Sequence, residues 1–365
     1  VAHAKIKVIL LGAAGSVGST ALNALIERRE AYEIIGASTH TSSATLDRIK
    51  SFWPNATLCL TSKPGGPAEL LKIIEETEDA IVLNAIAGSA GLRATFATLK
   101  SGKRLALANK ESVVMAGDLL AKEKIIPVDS EHSALSLLLA PFAKEEIASL
   151  ILTASGGPFR DYTLQMMSGI TPEMALKHPI WQMGAKITID SATLANKGLE
   201  VIEAAYLFSM DREQIEVVIH PQSIVHAMVR HVSGAIYGQM STPDMSLPIL
   251  MALSGGKEVA SVKPLDFSHL ELSFSAVDLE RFPMLKMGYA CSQIKGGYPI
   301  VYNSANEVAV EAFLKQEIAF LDISRLVEET LQAQWPHSYN SLDEVIEIDA
   351  RSREMAYTIK EKFKR

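Results

Sequence analysis

Short apolar runs alternate with amphipathic stretches through the first third of the chain, and this rhythm constrains the fold more than any other feature. Lys7–Leu11, Glu33–Ser38, Ala80–Ala85, Arg104–Ala108 and Ile125–Val128 are brief and apolar, so they read as strands buried on both faces. Thr20–Arg29 and Ala68–Glu76 read as helices between them. The pattern predicts an α/β fold that opens with a Rossmann-like, doubly wound parallel sheet. From Leu150 the texture changes: a strand at Leu150–Thr153, a loop-rich stretch with Pro158, Pro172 and Pro179, a strand at Lys186–Ile189 and a helix at Leu194–Phe208. Val217–His220, Ile224–Val232 and Ala235–Ser241 alternate as antiparallel strands do, which makes a second, central α/β domain.

The Gly, Ser, Lys and Pro of Ser254–Pro264 read as a linker. Beyond it, Val308–Leu314 and Ile323–Leu331 have helical spacing, and a small C-terminal helical bundle is expected. Ser304 with Glu307, and Ser341 with Glu344, match the capping box at a helix start. No internal repeat is visible. The expected domains are 1–129, 130–254, a linker at 255–284 and the bundle at 285–365.

With 365 residues the chain is long enough for two or three domains, and its 48% hydrophobic and 21% charged residues exclude disorder. Thirty-five basic against 42 acidic residues give a net charge of −7, which argues against nucleic acid as a partner. The longest nearly unbroken apolar run, Ala134–Ala143, is broken by Ser136 and Pro141 and falls well short of the roughly 20 residues of a bilayer span. No membrane partner is expected. Cys59 and Cys291 stand far apart without a CxxC spacing, so neither a disulfide framework nor a zinc site can be drawn, and a reducing compartment fits. No signal peptide is visible. A bacterial cytoplasm is the expected location, with a plastid after leader removal as the alternative.

Gly12-Ala13-Ala14-Gly15-Ser16-Val17-Gly18 follows one strand and opens a helix. Glycines so spaced let the backbone approach a pyrophosphate seated on the helix amides. A glycine triplet alone is often a mere turn; the strand and helix around it favour a nucleotide. At the end of the second strand, where an NAD site carries an acid, the chain reads His40-Thr41-Ser42. Nothing there would repel a 2′-phosphate, so NADP(H) is favoured over NAD(H). Asp129 and Glu131 emerge at a strand end, and two residues apart in extended chain they would project to one side, offering hard oxygens to Mg²⁺ or Mn²⁺. Two such acids are also common on solvated loops.

In Asp190–Glu200 a strand would deliver Ser191 to the mouth of a helix on which Asn196, Lys197 and Glu200 share a face. Hydroxyl, amide and ammonium suit a phosphate, and Glu200 could complete a metal site; the bland alternative is an intrahelical pair of Glu200 with Lys197. Ser155-Gly156-Gly157 could serve an anion. His178–Gly184 has the character of a lid, or of a loop anchored by Trp181. His220 and His226 lack metal spacing and read as structural.

Leu107–Ser112 (LANKES), Pro127–Ala134 (PVDSEHSA), Thr153–Phe159 (TASGGPF), His178–Gly184 (HPIWQMG), Asp190–Ala204, Ile219–Val229 (IHPQSIVHAMV) and Val262–Phe267 (VKPLDF), together with the glycine loop, resemble the 1-deoxy-D-xylulose 5-phosphate reductoisomerase family along essentially the whole chain. The resemblance implies an enzyme of the non-mevalonate isoprenoid pathway that isomerises and reduces 1-deoxy-D-xylulose 5-phosphate to 2-C-methyl-D-erythritol 4-phosphate, using NADPH and a divalent cation, Mg²⁺ or Mn²⁺. It implies a homodimer formed through the middle domain, near Ile219–Val229. By the same matching Asp129, Glu131 and Glu200 hold the metal, and Ser155, Ser191, Asn196 and Lys197 grip the substrate phosphate. Lys110 and Ser130 touch the reacting end, and His178, Trp181 and Met183 belong to the lid. Gly12, Ala14, Gly15, Ser16, Val17, His40, Thr41 and Ser42 bind the cofactor, with Asn109, Glu111, Gly184 and Met245 (in STPDMSLP) on its nicotinamide side.

This chain departs from the family at Ala14, where Thr is common, and at His40-Thr41-Ser42, where Gly, a basic or polar residue and Asn are frequent. Two other classes compete. A dehydrogenase of the aspartate semialdehyde type needs a nucleophilic cysteine, and neither Cys59 nor Cys291 lies in a motif beside a base. An inactive NADP-binding regulator should have lost one of the three carboxylates or Lys197, and all are present.

Overall fold

Six parallel strands form the N-terminal sheet: β1 (Ile6–Leu11), β2 (Tyr32–Thr39), β3 (Thr57–Leu60), β4 (Ile81–Asn84), β5 (Arg104–Leu107) and β6 (Ile125–Pro127), in the order β3-β2-β1-β4-β5-β6. Helices α1 (Ser16–Glu27), α2 (Ser43–Phe52), α3 (Gly66–Glu76) and α4 (Leu92–Lys100) make the crossovers, α5 (Lys110–Ala116) follows β5, and α6 (Ser130–Leu139) follows β6. The strand order reverses between β1 and β4, which is where a doubly wound sheet opens a ligand crevice. The computed structural model describes residues 4–177, 180, 184–256 and 262–364.

The chain divides into two compact units. The first comprises Val1–Ser112, Leu120–Ser136 and Asp244–Pro264, and the second Val113–Leu119, Leu137–Pro243 and Leu265–Arg365. Within the first, a late helix (Ser246–Ser254, α11 in chain order) lays Ile249, Leu250 and Leu253 against Val8, Leu10, Leu22 and Leu25. These side chains are at most 1% exposed. Each contributes roughly 1.5–3 kcal/mol by leaving water, so α11 is part of the sheet's own core.

The second unit is built on a five-stranded sheet ordered β10-β9-β7-β8-β11, from β7 (Ile147–Ala154), β8 (Ile215–Ile219), β9 (Val225–His231), β10 (Ile236–Met240) and β11 (Ser275–Ala276). Two single turns, α7 (Leu164–Met167) and α8 (Pro172–Ala175), precede α9 (Ala185–Thr193) and α10 (Ala195–Leu207). The expected bundle consists of α12 (Pro283–Ile294), α13 (Gly297–Leu314), α14 (Phe320–Leu331) and α15 (Leu342–Lys360).

Three local expectations are corrected. Lys186–Ile189 is the first half of α9 and not a strand. The alternation of Lys, Ile, Thr and Ile mimics a strand, but Lys186 pairs with Asp190 one turn on at 2.8 Å, and Ile189 and Ala192 are buried three residues apart. β8 runs parallel to β7 and antiparallel only to β11, because α9 and α10 carry the chain back in a crossover of the kind that makes parallel neighbours. Ser304 and Glu307 lie inside α13: the Ser304 hydroxyl donates to the Ile300 carbonyl at 2.8 Å, and Glu307 accepts from Arg353 at 2.5 Å. Of the other expected capping box the hydroxyl half is present, Ser341 Oγ accepting from the Glu344 amide at 3.2 Å, whereas the Glu344 carboxylate accepts from the amide of Asn340, one residue before the cap, at 2.9 Å.

Candidate functional site

At the mouth of the first sheet the chain leaves β1 through Gly12 at φ +74°, where a Cβ would lie 2.6 Å from the Ala85 carbonyl oxygen. Gly18 is equally constrained, its Cβ position being 2.1 Å from the Gly12 carbonyl oxygen. Only glycine lets α1 begin this close to β4. Ala14, Gly15 and Ser16 are exposed and Val17 half-buried, and Gly15 at the N-cap has no side chain to cover the first amides of α1. The Ser38 carbonyl accepts from Ala13 N at 2.9 Å and ties the loop to β2. This is the geometry in which backbone amides and a helix dipole receive a pyrophosphate.

Beyond β2 the chain carries no acid between Ala37 and Ser43. His40 and Thr41 are exposed, and the His40 ring shares a hydrogen bond with Thr61 Oγ1 at 3.1 Å. Ser42 caps α2, its hydroxyl accepting from Thr45 N at 3.3 Å, so its side chain has a structural task as well. Met245 starts α11 and packs on the sheet's core.

Asn109 is 1% exposed and works as a knot. Its Nδ2 donates to the carbonyls of Ile86 at 2.7 Å and Gly88 at 2.8 Å and to Glu111 Oε2 at 3.1 Å, joining the loops after β4 and β5. Asn84, which sequence reasoning missed, does the same from the end of β4: fully buried, it donates to Gly91 O and Thr95 Oγ1, each at 3.0 Å. The signal was there, one amide closing an otherwise apolar strand.

Lys110, 5% exposed at the start of α5, pairs with Asp129 at the end of β6. The chain enters α6 directly after Asp129, so Glu131 sits in a first helical turn and not in extended chain, with Ser130 Oγ donating to its Oε2 at 2.6 Å. The spacing argument for this acid pair therefore fails, although both carboxylates remain at the strand's carboxyl end. Asp129 and Glu131 belong to the first unit and Glu200 to the second.

In the second unit β7 ends in Ser155-Gly156-Gly157, whose glycines take φ +81° and +67°. Gly157 N donates to Ser155 Oγ at 3.3 Å, and a Cβ on Gly157 would lie 2.8 Å from the Ser191 carbonyl oxygen. Ser155 and Ser191 are thus brought together, Ser191 from within α9. Leu194, at φ 60°, turns the chain between α9 and α10, an uncommon conformation for a side-chain-bearing residue. It brings Asn196 and Lys197 into the first turn of α10.

Both of these bond Glu200, Asn196 through Nδ2 to Oε1 at 2.5 Å and Lys197 to Oε2. Lys197 is 3% exposed and Glu200 fully buried, which separates this pair from the ordinary surface pair worth a few tenths of a kcal/mol. Gly184, exposed, is the N-cap of α9, and its carbonyl accepts from Thr188 Oγ1 at 2.8 Å. His178, Trp181 and Met183 lie outside the described residues.

His226 meets Ser241 Oγ at 2.9 Å. His220 accepts from the amides of Ile224 and Val225 on Nε2 and faces the Ser273 carbonyl at 2.9 Å through Nδ1. Both histidines hold the sheet together. Burial, with the Glu69 charge next in size, pushes the Cys59 thiol up to about 11, and burial pushes the Cys291 thiol higher still. Neither is a thiolate at neutral pH, which removes the cysteine chemistry of the dehydrogenase alternative.

A reductoisomerase from Treponema denticola is 43% identical over 365 residues, covering 96% of each chain. The chain belongs to the 1-deoxy-D-xylulose 5-phosphate reductoisomerase family. The family's models match it at residues 125–208 and 240–355, described as C-terminal domains of the enzyme, and at 61–117, described by the enzyme's name. A family member from Chlorobium chlorochromatii is 42% identical, with 96% of this chain and 98% of the other covered. Among solved family structures, one in complex with NADPH, fosmidomycin and magnesium superposes with a TM-score of 0.90 at 35% identity over 98% of both chains. Another, from Zymomonas mobilis in complex with NADPH, has a TM-score of 0.85 at 36% identity, covering 98% of this chain and all of the other.

Proposed function

We propose that the chain converts 1-deoxy-D-xylulose 5-phosphate to 2-C-methyl-D-erythritol 4-phosphate by metal-dependent isomerisation and NADPH-dependent reduction, a step of the non-mevalonate isoprenoid pathway. The observation that carries this reading is a carboxylate without solvent exposure, Glu200, fixed by an amide and an ammonium on the helix that follows the Ser155 loop and the Ser191-bearing α9. Buried charge of this kind is costly unless it has work to do. In this reading the expected divisions, 1–129 for NADPH, 130–254 for metal and substrate, 255–284 as linker and 285–365 as bundle, are modified at two points: Asp129 serves the metal, and α11 packs in the core of the NADPH-binding sheet.

Asp129, Glu131 and Glu200 would be the all-oxygen ligands of a Mg²⁺ or Mn²⁺ ion. A cation held by them supplies Lewis acidity to the substrate's ketone and hydroxyl oxygens. Lys110 pairs with Asp129 and Lys197 with Glu200, and each ammonium orients its carboxylate. Lys110 and Ser130 offer donors to the reacting oxygens. Ser155, Ser191, Asn196 and Lys197 grip the phosphate, and this remote binding energy positions the carbons that rearrange. The glycine loop, Asn109, Glu111, Gly184 and Met245 present the nicotinamide.

The test is loss of NADPH absorbance with 1-deoxy-D-xylulose 5-phosphate, with Mg²⁺ or Mn²⁺ and after chelation. Oxidation that requires both sugar phosphate and cation is expected; a folded, NADPH-binding chain that oxidises nothing sinks the reading.

His40, Thr41 and Ser42 receive the 2′-phosphate in the same reading. An acid at this strand end repels that group and accepts from a free ribose hydroxyl. His40→Asp is therefore expected to weaken NADPH by roughly tenfold or more, about 1.4 kcal/mol, and to improve NADH. Fluorescence titration with both cofactors measures this, and an unchanged ratio would take His40 out of the site.

The homodimer is proposed through the second unit, near Ile219–Val229. The edge strand β10 exposes Ile236, Tyr237 and Met240 by 40% or more, and an apolar edge of this kind is a pairing template. Sedimentation equilibrium should give twice the chain mass, falling to one chain for Tyr237→Lys; a monomeric wild type speaks against it. The bacterial relatives favour a cytoplasmic location.

A further inference from the structure

The loop that follows Ser155-Gly156-Gly157 is held from behind by one arginine far along the chain. Arg281 Nη1 donates to the carbonyl oxygens of Arg160 at 2.9 Å and Tyr162 at 2.8 Å. Its Nε donates to Asp278 Oδ2 at 2.8 Å, while Asp278 Oδ1 accepts from the amides of Glu280 and Arg281, each at 3.1 Å. The Arg281 amide and then its guanidinium hold the Asp278 carboxyl below the usual range, so Asp278 is ionised at neutral pH. Charge-assisted bonds to two carbonyls in one fork are directional as well as strong. Phe159, 2% exposed, fastens the same loop edge-on to Phe320 of α14, with ring centroids 5.3 Å apart.

Arg281 stands two residues before the start of α12, and α12 is seated on α10. A Cβ on Gly288 would lie 2.5 Å from Gly198 Cα, so the two helix backbones meet at the residue after Lys197. Tyr302 OH stands 3.0 Å from Met284 O in α12 and 3.3 Å from Ala195 O in α10, bracing the same contact. One short stretch, Asp278 to Gly288, therefore touches both elements that bear phosphate ligands: the Ser155 loop through Arg281, and α10 through its backbone.

We propose that Arg281 is a positioning residue for substrate phosphate, fixing the Ser155 loop at the separation from Asn196 and Lys197 that α12 sets. This rests on the reading that Ser155, Ser191, Asn196 and Lys197 grip the phosphate. Loss of the guanidinium frees the carbonyls of Arg160 and Tyr162, and a displacement of about 1 Å in a positioning element suffices for large losses.

The experiment uses the full chain loaded with NADPH and Mg²⁺, titrated with fosmidomycin by calorimetry and assayed with 1-deoxy-D-xylulose 5-phosphate. For Arg281→Met, fosmidomycin Kd and substrate KM are expected to rise by about tenfold or more, with the NADPH Kd within about twofold of wild type. Arg281→Lys, which can still reach one carbonyl, should recover part of the loss, as a merely structural role would not require. Should Arg281→Met fail to fold, Arg281→Lys and Asp278→Asn are read instead, each expected to raise the fosmidomycin Kd about threefold. Wild-type fosmidomycin affinity in the folded Arg281 variants, or equal losses of NADPH and fosmidomycin binding, overturns the proposal. Ser155→Ala and Lys197→Met separate the two layers: if they too bind fosmidomycin as wild type does, the phosphate reading itself has failed, whereas weak binding by these two alone defeats only the role of Arg281.

Discussion

Glu200→Gln is expected to give a chain that still binds NADPH but turns over substrate roughly a thousandfold more slowly, a loss of about 4 kcal/mol in transition-state stabilisation. The substitution keeps an oxygen for Asn196 Nδ2 and removes the charge that a cation requires. It also leaves the Lys197 ammonium, 3% exposed, without its carboxylate. Breaking one partner out of a buried ion pair costs about 3–5 kcal/mol of stability, so Tm should fall as well. The two effects separate in the double variant Lys197→Met/Glu200→Gln, which removes both charges: much of the stability should return, and activity should not. Steady-state NADPH oxidation across a Mg²⁺ titration, beside thermal melts of all three proteins, reads both. Turnover within about tenfold of wild type at saturating metal would remove Glu200 from the ligand set.

What the sequence discloses, and what it hides, follows from the range of the forces involved. Five of the six N-terminal strands and the glycine loop were legible, β3 being missed, because burial on both faces leaves runs such as Ile81–Asn84 with no polar alternation, and because Gly18 answers to the backbone of Gly12 one short loop away. Asn196, Lys197 and Glu200 were legible as a face because helical spacing alone sets it. Lys186–Ile189 was not, since its alternation favours a strand and only the packing of Ile189 and Ala192, with the Asp190 pairing to Lys186 and to Asn306 at 2.7 Å, selects the helix. Ser304 and Glu307 failed for a like reason: a cap is a local motif, but whether a helix begins there depends on what precedes it, and α13 begins at Gly297. The polar ties of Arg281 reach carbonyls 121 and 119 residues back along the chain, and no spacing rule reaches them.

The glycine loop gives a second large expected effect, because its glycines are needed for different reasons. A methyl group on Gly18 would stand 2.1 Å from the Gly12 carbonyl oxygen and 2.9 Å from Ala13 Cα. The loop cannot retreat, since Gly12 already lies against the Ala85 carbonyl. Gly18→Ala must therefore shift the start of α1, at a cost of about 1–3 kcal/mol in stability, and carry the pyrophosphate-binding amides with it. An NADPH Kd raised roughly a hundredfold, about 2.7 kcal/mol, is expected. Gly15 is different: its φ of −72° suits any residue, and an added Cβ would meet the Gly12 carbonyl oxygen at a tolerable 3.4 Å. Gly15→Ala should melt as wild type does while still weakening NADPH, because its methyl group intrudes on the cofactor and not on the protein. Melting curves and cofactor titrations on the two variants make the comparison. If Gly15→Ala bound NADPH unchanged, the cofactor would not approach the backbone at the start of α1, and the pyrophosphate would have to be sought elsewhere along the β1–β4 crevice.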